Sequence, residues 1–212
     1  MNLKELGRHY NRRGFQIGKR IADVLLSAGG LVVLAPLFLL TAIALVVSDG
    51  FPIVFRHRRV GRDGKVFHIY KFRTMLRNAE EILRSRPDLM EEYKKYYKIQ
   101  NDPRIHKVGH FLRKTSLDEL PQLWNVLMGD MSLVGPRPIV EPELEKYGDY
   151  QGVYLAMKPG CAGLWQCSGR SDTTYDERVA LDIEYCENAS LWYDFGVMVK
   201  TLASIVRMKG AQ

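Results

Sequence analysis

The sequence predicts an α/β fold, mostly helical with a small β-hairpin, built on a segment that enters a membrane as a helix, breaks and returns on the same side. Three observations predict it. A long uncharged run is interrupted by proline and has basic residues on both flanks. An alternating segment with an Asp-Gly turn follows. The remainder carries helical periodicity, with no internal repeat and no linker long enough to mark another domain. At 212 residues, 46% hydrophobic and 26% charged, the chain is neither disordered nor a low-complexity fibre. Its net charge of +7 is uneven, because residues 1–75 carry +9 and residues 76–212 carry −2. Cys161, Cys167 and Cys186 have no His or Cys partners at zinc-finger spacing. A disulfide framework or structural zinc is therefore not expected, and a reducing setting is.

The run from Val24 to Val47 holds 24 residues without a charge. It is too long for a signal peptide and lacks a small-residue cleavage site. The simplest reading is one spanning helix, since roughly 20 apolar residues cross a bilayer. Pro36, with Gly29-Gly30 upstream, argues for a break, because proline removes a helical hydrogen bond. Charge argues further. Arg12, Arg13, Lys19 and Arg20 precede the run; Arg56, Arg58, Arg59, Arg62 and Lys65 follow it. A straight span satisfies the positive-inside preference at only one flank, whereas a re-entrant hairpin satisfies both. Each half, about 12 residues or roughly 18 Å, is too short to cross roughly 30 Å of hydrocarbon. Asp23 is expected at headgroup level or paired with Lys19 or Arg20. The division predicted is a basic N-terminus with the membrane hairpin over 1–50 and an interfacial domain over 51–212.

Beyond it, Ile53–Val60 and Lys65–Phe72 flank Asp63-Gly64 and read as a hairpin. Arg77–Lys98 reads as a solvated charged helix interrupted at Pro87. A short helix is expected over Val108–Arg113. Leu117, Leu120, Leu123, Trp124 and Leu127 form an apolar stripe at helical spacing, with Asp118, Gln122 and Asn125 on another face. Leu191–Met208 is helical and apolar around most of its circumference. That breadth suits a helix between protein and headgroups, or a buried core helix.

Asp118-Glu119 is the first candidate for chemistry. The competing structural reading is a capping box, Ser116-x-x-Glu119, with acids complementing a helix dipole. Pro121 makes that geometry uncomfortable, because it deletes a hydrogen bond in the second turn. Cations nearby favour chemistry: Arg113-Lys114 just before, Arg137 between Pro136 and Pro138, and Arg170 after a glycine-rich stretch. Any one of these suits a solvated surface. Together they suit a phosphorylated ligand, because guanidinium binds phosphate oxygens bidentately. A carboxylate pair among arginines also suits Mg²⁺ bridging to phosphates. Lys71-Phe72-Arg73 reads as a basic patch on anionic headgroups or a holder for a lipid phosphate.

Three segments carry a resemblance: Lys71–Met75 (KFRTM), Arg113–Asn125 (RKTSLDELPQLWN) and Asp130–Pro138 (DMSLVGPRP). They resemble the bacterial sugar transferase family, the small monotopic phosphoglycosyl transferases, and the similarity runs from about Gly18 to the C-terminus. The family implies the re-entrant hairpin, with its break at Pro36. The residue before that proline is often Ser in the family and is Ala35 here, which leaves Pro36 to act alone or with Ser27. The segment from Lys158 through Asp172, then Tyr175-Asp176-x-Arg178, resembles the branch that transfers hexose-1-phosphate, especially galactose-1-phosphate. Larger members of that branch carry an N-terminal block of spanning helices. The resemblance implies that a UDP-sugar and polyprenyl (undecaprenyl) phosphate give UMP and a polyprenyl-diphosphate-sugar. It implies Asp118 as nucleophile, forming an aspartyl-phosphosugar, and Glu119 as its partner, with both carboxylates holding Mg²⁺. Arg113, Arg137 and Arg170 would bind donor phosphate or nucleotide; Lys71 and Arg73 would bind the lipid side. It implies the cytoplasmic face of the bacterial inner membrane, an anionic membrane surface, and a role opening polysaccharide or lipopolysaccharide assembly. It allows a homodimer and gives no reason to expect nucleic acid. A glycosyltransferase releasing UDP and a non-catalytic membrane scaffold are the competing classes.

Overall fold

The computed structural model describes residues 10–96, 99–168 and 174–206. Helix α1 (Arg13–Val33) and helix α2 (Ala35–Asp49) meet at a 59° bend across Leu34. Pro36 lies in the first turn of α2, where a missing N–H leaves no helical bond unmade. The break therefore falls just before the proline. Ser27 does not support it; its hydroxyl donates to Val24 O within α1 at 3.3 Å. No single helix among the described residues is long and apolar enough to cross a membrane, but the bent pair together is, by length and composition.

α1 begins at Arg13, well before the apolar run, so the halves are about 31 and 22 Å long rather than equal. The helix continues through charge because Lys19, Arg20 and Asp23 each meet a partner in the protein. Lys19 Nζ lies 2.6 Å from Asp194 Oδ2. Arg20 donates to Val126 O at 2.6 Å and Leu127 O at 2.8 Å, closing the end of a later helix. Asp23 pairs with neither Lys19 nor Arg20, contrary to expectation. It is buried and accepts from Ser132 Oγ at 3.0 Å and Leu133 N at 2.9 Å.

Strands β1 (Val54–Val60) and β2 (Val66–Phe72) form the expected antiparallel hairpin, with Val60 opposite Val66. Asp63 and Gly64 turn the chain at φ 57° and 75°. Phe67 and Ile69 are buried with Val126 and Met131, while Val66 and His68 face out. At Phe72 the strand turns its other side inward, against Phe38, Leu45 and Leu112. Both faces of its C-terminal end are thus covered.

Helices α3 (Ala79–Ser85) and α4 (Pro87–Tyr96) are split at Pro87 as expected. Helix α5 (Lys107–Thr115) leads into a 3₁₀ turn (Leu117–Glu119) and helix α6 (Gln122–Met128). Strands β3 (Ser132–Val134) and β4 (Gly160–Ala162) pair in parallel. A 3₁₀ segment (Glu141–Tyr150) and α7 (Gln151–Ala156) lie between them. Helices α8 (Leu164–Cys167), α9 (Tyr175–Asn188) and α10 (Leu191–Val206) follow.

Two helices turn polar residues inward and leave apolar ones exposed. In α6, Gln122 and Asn125 are buried, whereas Trp124 and Met128 are 50% and 62% exposed. Asn125 completes β2: its Oδ1 accepts from Tyr70 N at 3.0 Å and its Nδ2 donates to His68 O at 2.7 Å. In α10, Asp194 faces inward to Lys19 and to the Tyr185 hydroxyl at 2.7 Å. Trp192, Phe195, Val199 and Leu202 are exposed, so α10 is not a buried core helix.

Candidate active site

The Asp118 turn is set by packing beneath it. Leu117 and Leu120 join Phe38 and Leu45 of α2, Phe72 of β2 and Leu112 of α5 in one cluster. The two leucines thus pack among α2, β2 and α5, with Asp118 and Glu119 between them in sequence. The capping box is not formed. Ser116 adopts a left-handed conformation (φ 57°) that ends α5, and its side chain caps nothing. Glu119 instead accepts from Lys71 Nζ at 2.5 Å. α6 restarts only after Pro121, which the break in the helix accommodates.

Asp118 is 9% exposed. Burial pushes its carboxyl up to about 6; Lys71 opposes that, Glu119 reinforces it, and Arg113 opposes it more weakly. It is thus desolvated yet ionised at neutral pH. Arg113 donates through Nε to Thr74 Oγ1 at 2.9 Å. Burial lowers its pKa, and Asp118 counters that. The approach of α5 to β2 depends on Gly109, where an added Cβ would fall on Thr74 O.

Among the cations expected from sequence, Lys71 and Arg113 thus gather at Asp118-Glu119. Arg73 does not. It is buried, pairs with Asp49, and donates to Pro52 O at 2.6 Å and Gly50 O at 2.6 Å. Its guanidinium fastens the end of α2 to the end of β2, which leaves no donor for a lipid phosphate. Arg170 lies outside the described residues.

Arg137 stands in a second group. Gly135 and Gly160 cross so closely that a Cβ on Gly160 would fall on Gly135 N. Gly160 N donates to Pro136 O at 2.8 Å, and Gly135 N to Ala162 O at 2.9 Å. With Pro136 and Pro138 buried, Arg137 projects outward and over the Trp165 ring, 5.1 Å from its centroid. Arg178 of α9 covers the same ring at 4.4 Å. These side chains line a shallow cleft with Tyr175 and Glu143, and with Tyr147 and Asp182 behind. Tyr147 donates to Asp182 at 2.7 Å, and burial pushes the Asp182 carboxyl up to about 7. Arg59 of β1 approaches Glu143 at 3.9 Å. In sequence Arg59 read only as flanking charge, and Arg178 carried no role. No periodicity flags either, because each acquires its neighbours through the fold.

Asp118 and Glu119 are hard oxygen donors on consecutive residues. No group of three or more His, Cys, Asp or Glu able to enclose a metal occurs among the described residues. The pair therefore suits Mg²⁺ sharing its shell with phosphate and water, not a protein-only cage.

Residues 14–208 match the family described as bacterial sugar transferase. The chain is 48% identical over 204 residues to undecaprenyl-phosphate galactose phosphotransferase of Salmonella typhimurium, covering 94% of this chain and 43% of that protein. It is 46% identical over 199 residues to exopolysaccharide production protein ExoY of Rhizobium meliloti, covering 92% of this chain and 88% of that protein. It is 38% identical over 194 residues to UDP-glucose:undecaprenyl-phosphate glucose-1-phosphate transferase of Escherichia coli, covering 87% and 39%. The chain thus spans less than half the length of the Salmonella and Escherichia relatives. With a match running through the bent helix pair, the acid turn and the arginine cleft alike, this chain belongs to the bacterial sugar transferase family.

Proposed function

We propose that this chain transfers hexose-1-phosphate, galactose-1-phosphate first among candidates, from a UDP-sugar to undecaprenyl phosphate. The observation that carries the reading is Asp118, a buried but ionisable carboxylate between Lys71-Glu119 and Arg113, directly above an exposed apolar hairpin. The substrate classes are those for which the Salmonella and Escherichia relatives are named.

In the first step an Asp118 oxygen attacks the sugar-bearing phosphorus. An acyl-phosphate bond forms, the bond to the bridging oxygen breaks, and that oxygen leaves with its electrons as part of UMP. In the second step a polyprenyl phosphate oxygen attacks the same phosphorus and frees the Asp118 carboxylate. Covalent catalysis divides one difficult displacement into two. The obstacle is an anion approaching an anionic diphosphate. Arg113 and Lys71 supply fixed positive charge there, and positioning with charge stabilisation carries most phosphoryl-transfer catalysis. Mg²⁺, when bound by Asp118 and Glu119 with substrate phosphate, adds further neutralisation. Removing divalent cations with EDTA is expected to stop turnover and added Mg²⁺ to restore it; the assay is UMP release.

The hairpin would dip into the cytoplasmic leaflet and return. The exposed apolar side chains of α6 and α10 would lie against the same leaflet, with the acid turn at the boundary between a water-soluble donor and a lipid acceptor. The test is enzyme quenched with UDP-hexose alone and examined by mass spectrometry. A hexose-phosphate adduct on Asp118 with stoichiometric UMP is expected. Full-rate product formation without the adduct, or release of UDP, would overturn the reading.

A further inference from the structure

Charges at the acid turn are paired unequally. Lys71 closes on Glu119 at 2.5 Å. Arg113 does not close on Asp118 in the same way. Each of these two feels the other's charge, yet Arg113 enters no ion pair among the described residues. What it does enter is a hydrogen bond, from its Nε to Thr74 Oγ1 at 2.9 Å. That contact uses the guanidinium N–H nearest the main chain. It leaves both terminal nitrogens, the pair that grips an oxyanion side by side, without a hydrogen bond among the described residues.

Thr74 is a fixed point. It is buried, and the backbone around it is held from several sides. Arg73 N donates to Ile53 O at 2.9 Å, and Thr74 O accepts from His106 N at 3.3 Å. His106 Nδ1 accepts from Gly109 N at 2.9 Å, so the imidazole proton sits on Nε2, 3.2 Å from Arg73 O, and donates to it. Arg113 lies one helical turn beyond Gly109 on the same face of α5, the face that approaches Thr74.

We infer that Thr74 is a positioning residue: its hydroxyl oxygen anchors Arg113 by Nε and holds the guanidinium off Asp118, so that the carboxylate oxygens stay unencumbered and the two terminal nitrogens face the charge that develops opposite them. This rests on the reading of Asp118 as nucleophile and adds to it a residue that touches no reactant. An Arg113 released from Thr74 is expected to fold onto Asp118 as Lys71 does onto Glu119, occupying the lone pairs that must attack phosphorus.

The test uses the full chain in detergent with Mg²⁺ and UDP-hexose, following UMP release in a single turnover, with melting curves to confirm folding. Thr74→Val keeps the shape of the side chain and removes the acceptor; it is expected to slow the reaction by about tenfold or more. Thr74→Ser keeps the acceptor and should stay within about threefold of the parent. A threonine that acts through Arg113 loses its effect once Arg113 is gone. Thr74→Val added to Arg113→Gln should therefore slow the reaction by less than about twofold further. A purely structural threonine would slow both backgrounds alike. That result, or a serine variant as slow as the valine one, would overturn the inference. Where Thr74→Val does not fold, Arg113→Lys in the otherwise unaltered chain decides. Lysine carries the charge but has no Nε–H to rest on Thr74, so it should be about as slow as Arg113→Gln, and near-parental turnover overturns the inference. The two proposals fail separately. Coupled effects on UMP release with no adduct on Asp118 sink the covalent step, whereas an adduct with independent effects at Thr74 and Arg113 sinks the positioning role.

Discussion

At Asp118, burial and ionisation oppose each other. The carboxyl rises from 3.8 to about 6, which corresponds to about 3 kcal/mol against the charged form. The folded state therefore holds its proton more tightly than the unfolded state. Stability falls as pH rises through that interval, and the penalty is complete above about 6. Asp118→Asn removes it. The variant should be more stable than the parent at pH 7 by up to about 3 kcal/mol, and the difference should vanish below the ordinary carboxylate pKa. Its turnover should fall by about a thousandfold or more. Denaturant unfolding at two pH values, with a UMP assay, checks both. In the parent, kcat/KM should climb with pH through about 6, as the nucleophile loses its proton.

The elements show what a one-dimensional reading reaches. The β-hairpin, the split at Pro87 and the bend near Pro36 were legible, because each rests on local backbone chemistry. The burial of α6 was not. Its polar face carries Asn125, whose amide replaces a missing strand beside Tyr70 and His68, and only the fold reveals that need. Ser116 and Glu119 matched a cap by spacing, yet Lys71 from a strand 48 positions earlier claims the carboxylate. Arg73 looked like Lys71 in sequence and serves a different end, since it lies just past the end of β2, beside Asp49 at the end of α2. The junction of α5 with β2 is the most sensitive to substitution. Gly109→Ala places a methyl on Thr74 O and should destabilise the fold by about 1–3 kcal/mol. It should also displace Arg113, so that turnover drops in samples still folded; melting and single-turnover assays report the two effects.

Among the described residues, most of the exposed large apolar side chains lie on four helices, such as Leu25 and Val32 on α1, Leu39 and Val47 on α2, Trp124 on α6 and Trp192 on α10, with others such as Phe55 and Phe111 elsewhere. A re-entrant seat in one leaflet predicts that cysteines introduced at Arg12 and Lys65 are labelled from the same side, with Cys161 and Cys167 replaced by serine. Labelling from opposite sides would show a span. The outer face of α10 offers a second check. Trp192→Glu with Phe195→Glu should leave adduct formation from UDP-hexose intact, while onward transfer to polyprenyl phosphate slows by about tenfold as two aromatic contacts with lipid are lost. Separate assays of the two half-reactions distinguish this from general damage.

The tie between Lys19 and Asp194 joins the first described helix to the last across 175 positions. A ribosome delivers the lysine long before its counterpart. Until α10 emerges, the early helix holds an ammonium group whose permanent partner has yet to be made, so this contact forms only after more than 170 further residues have been added.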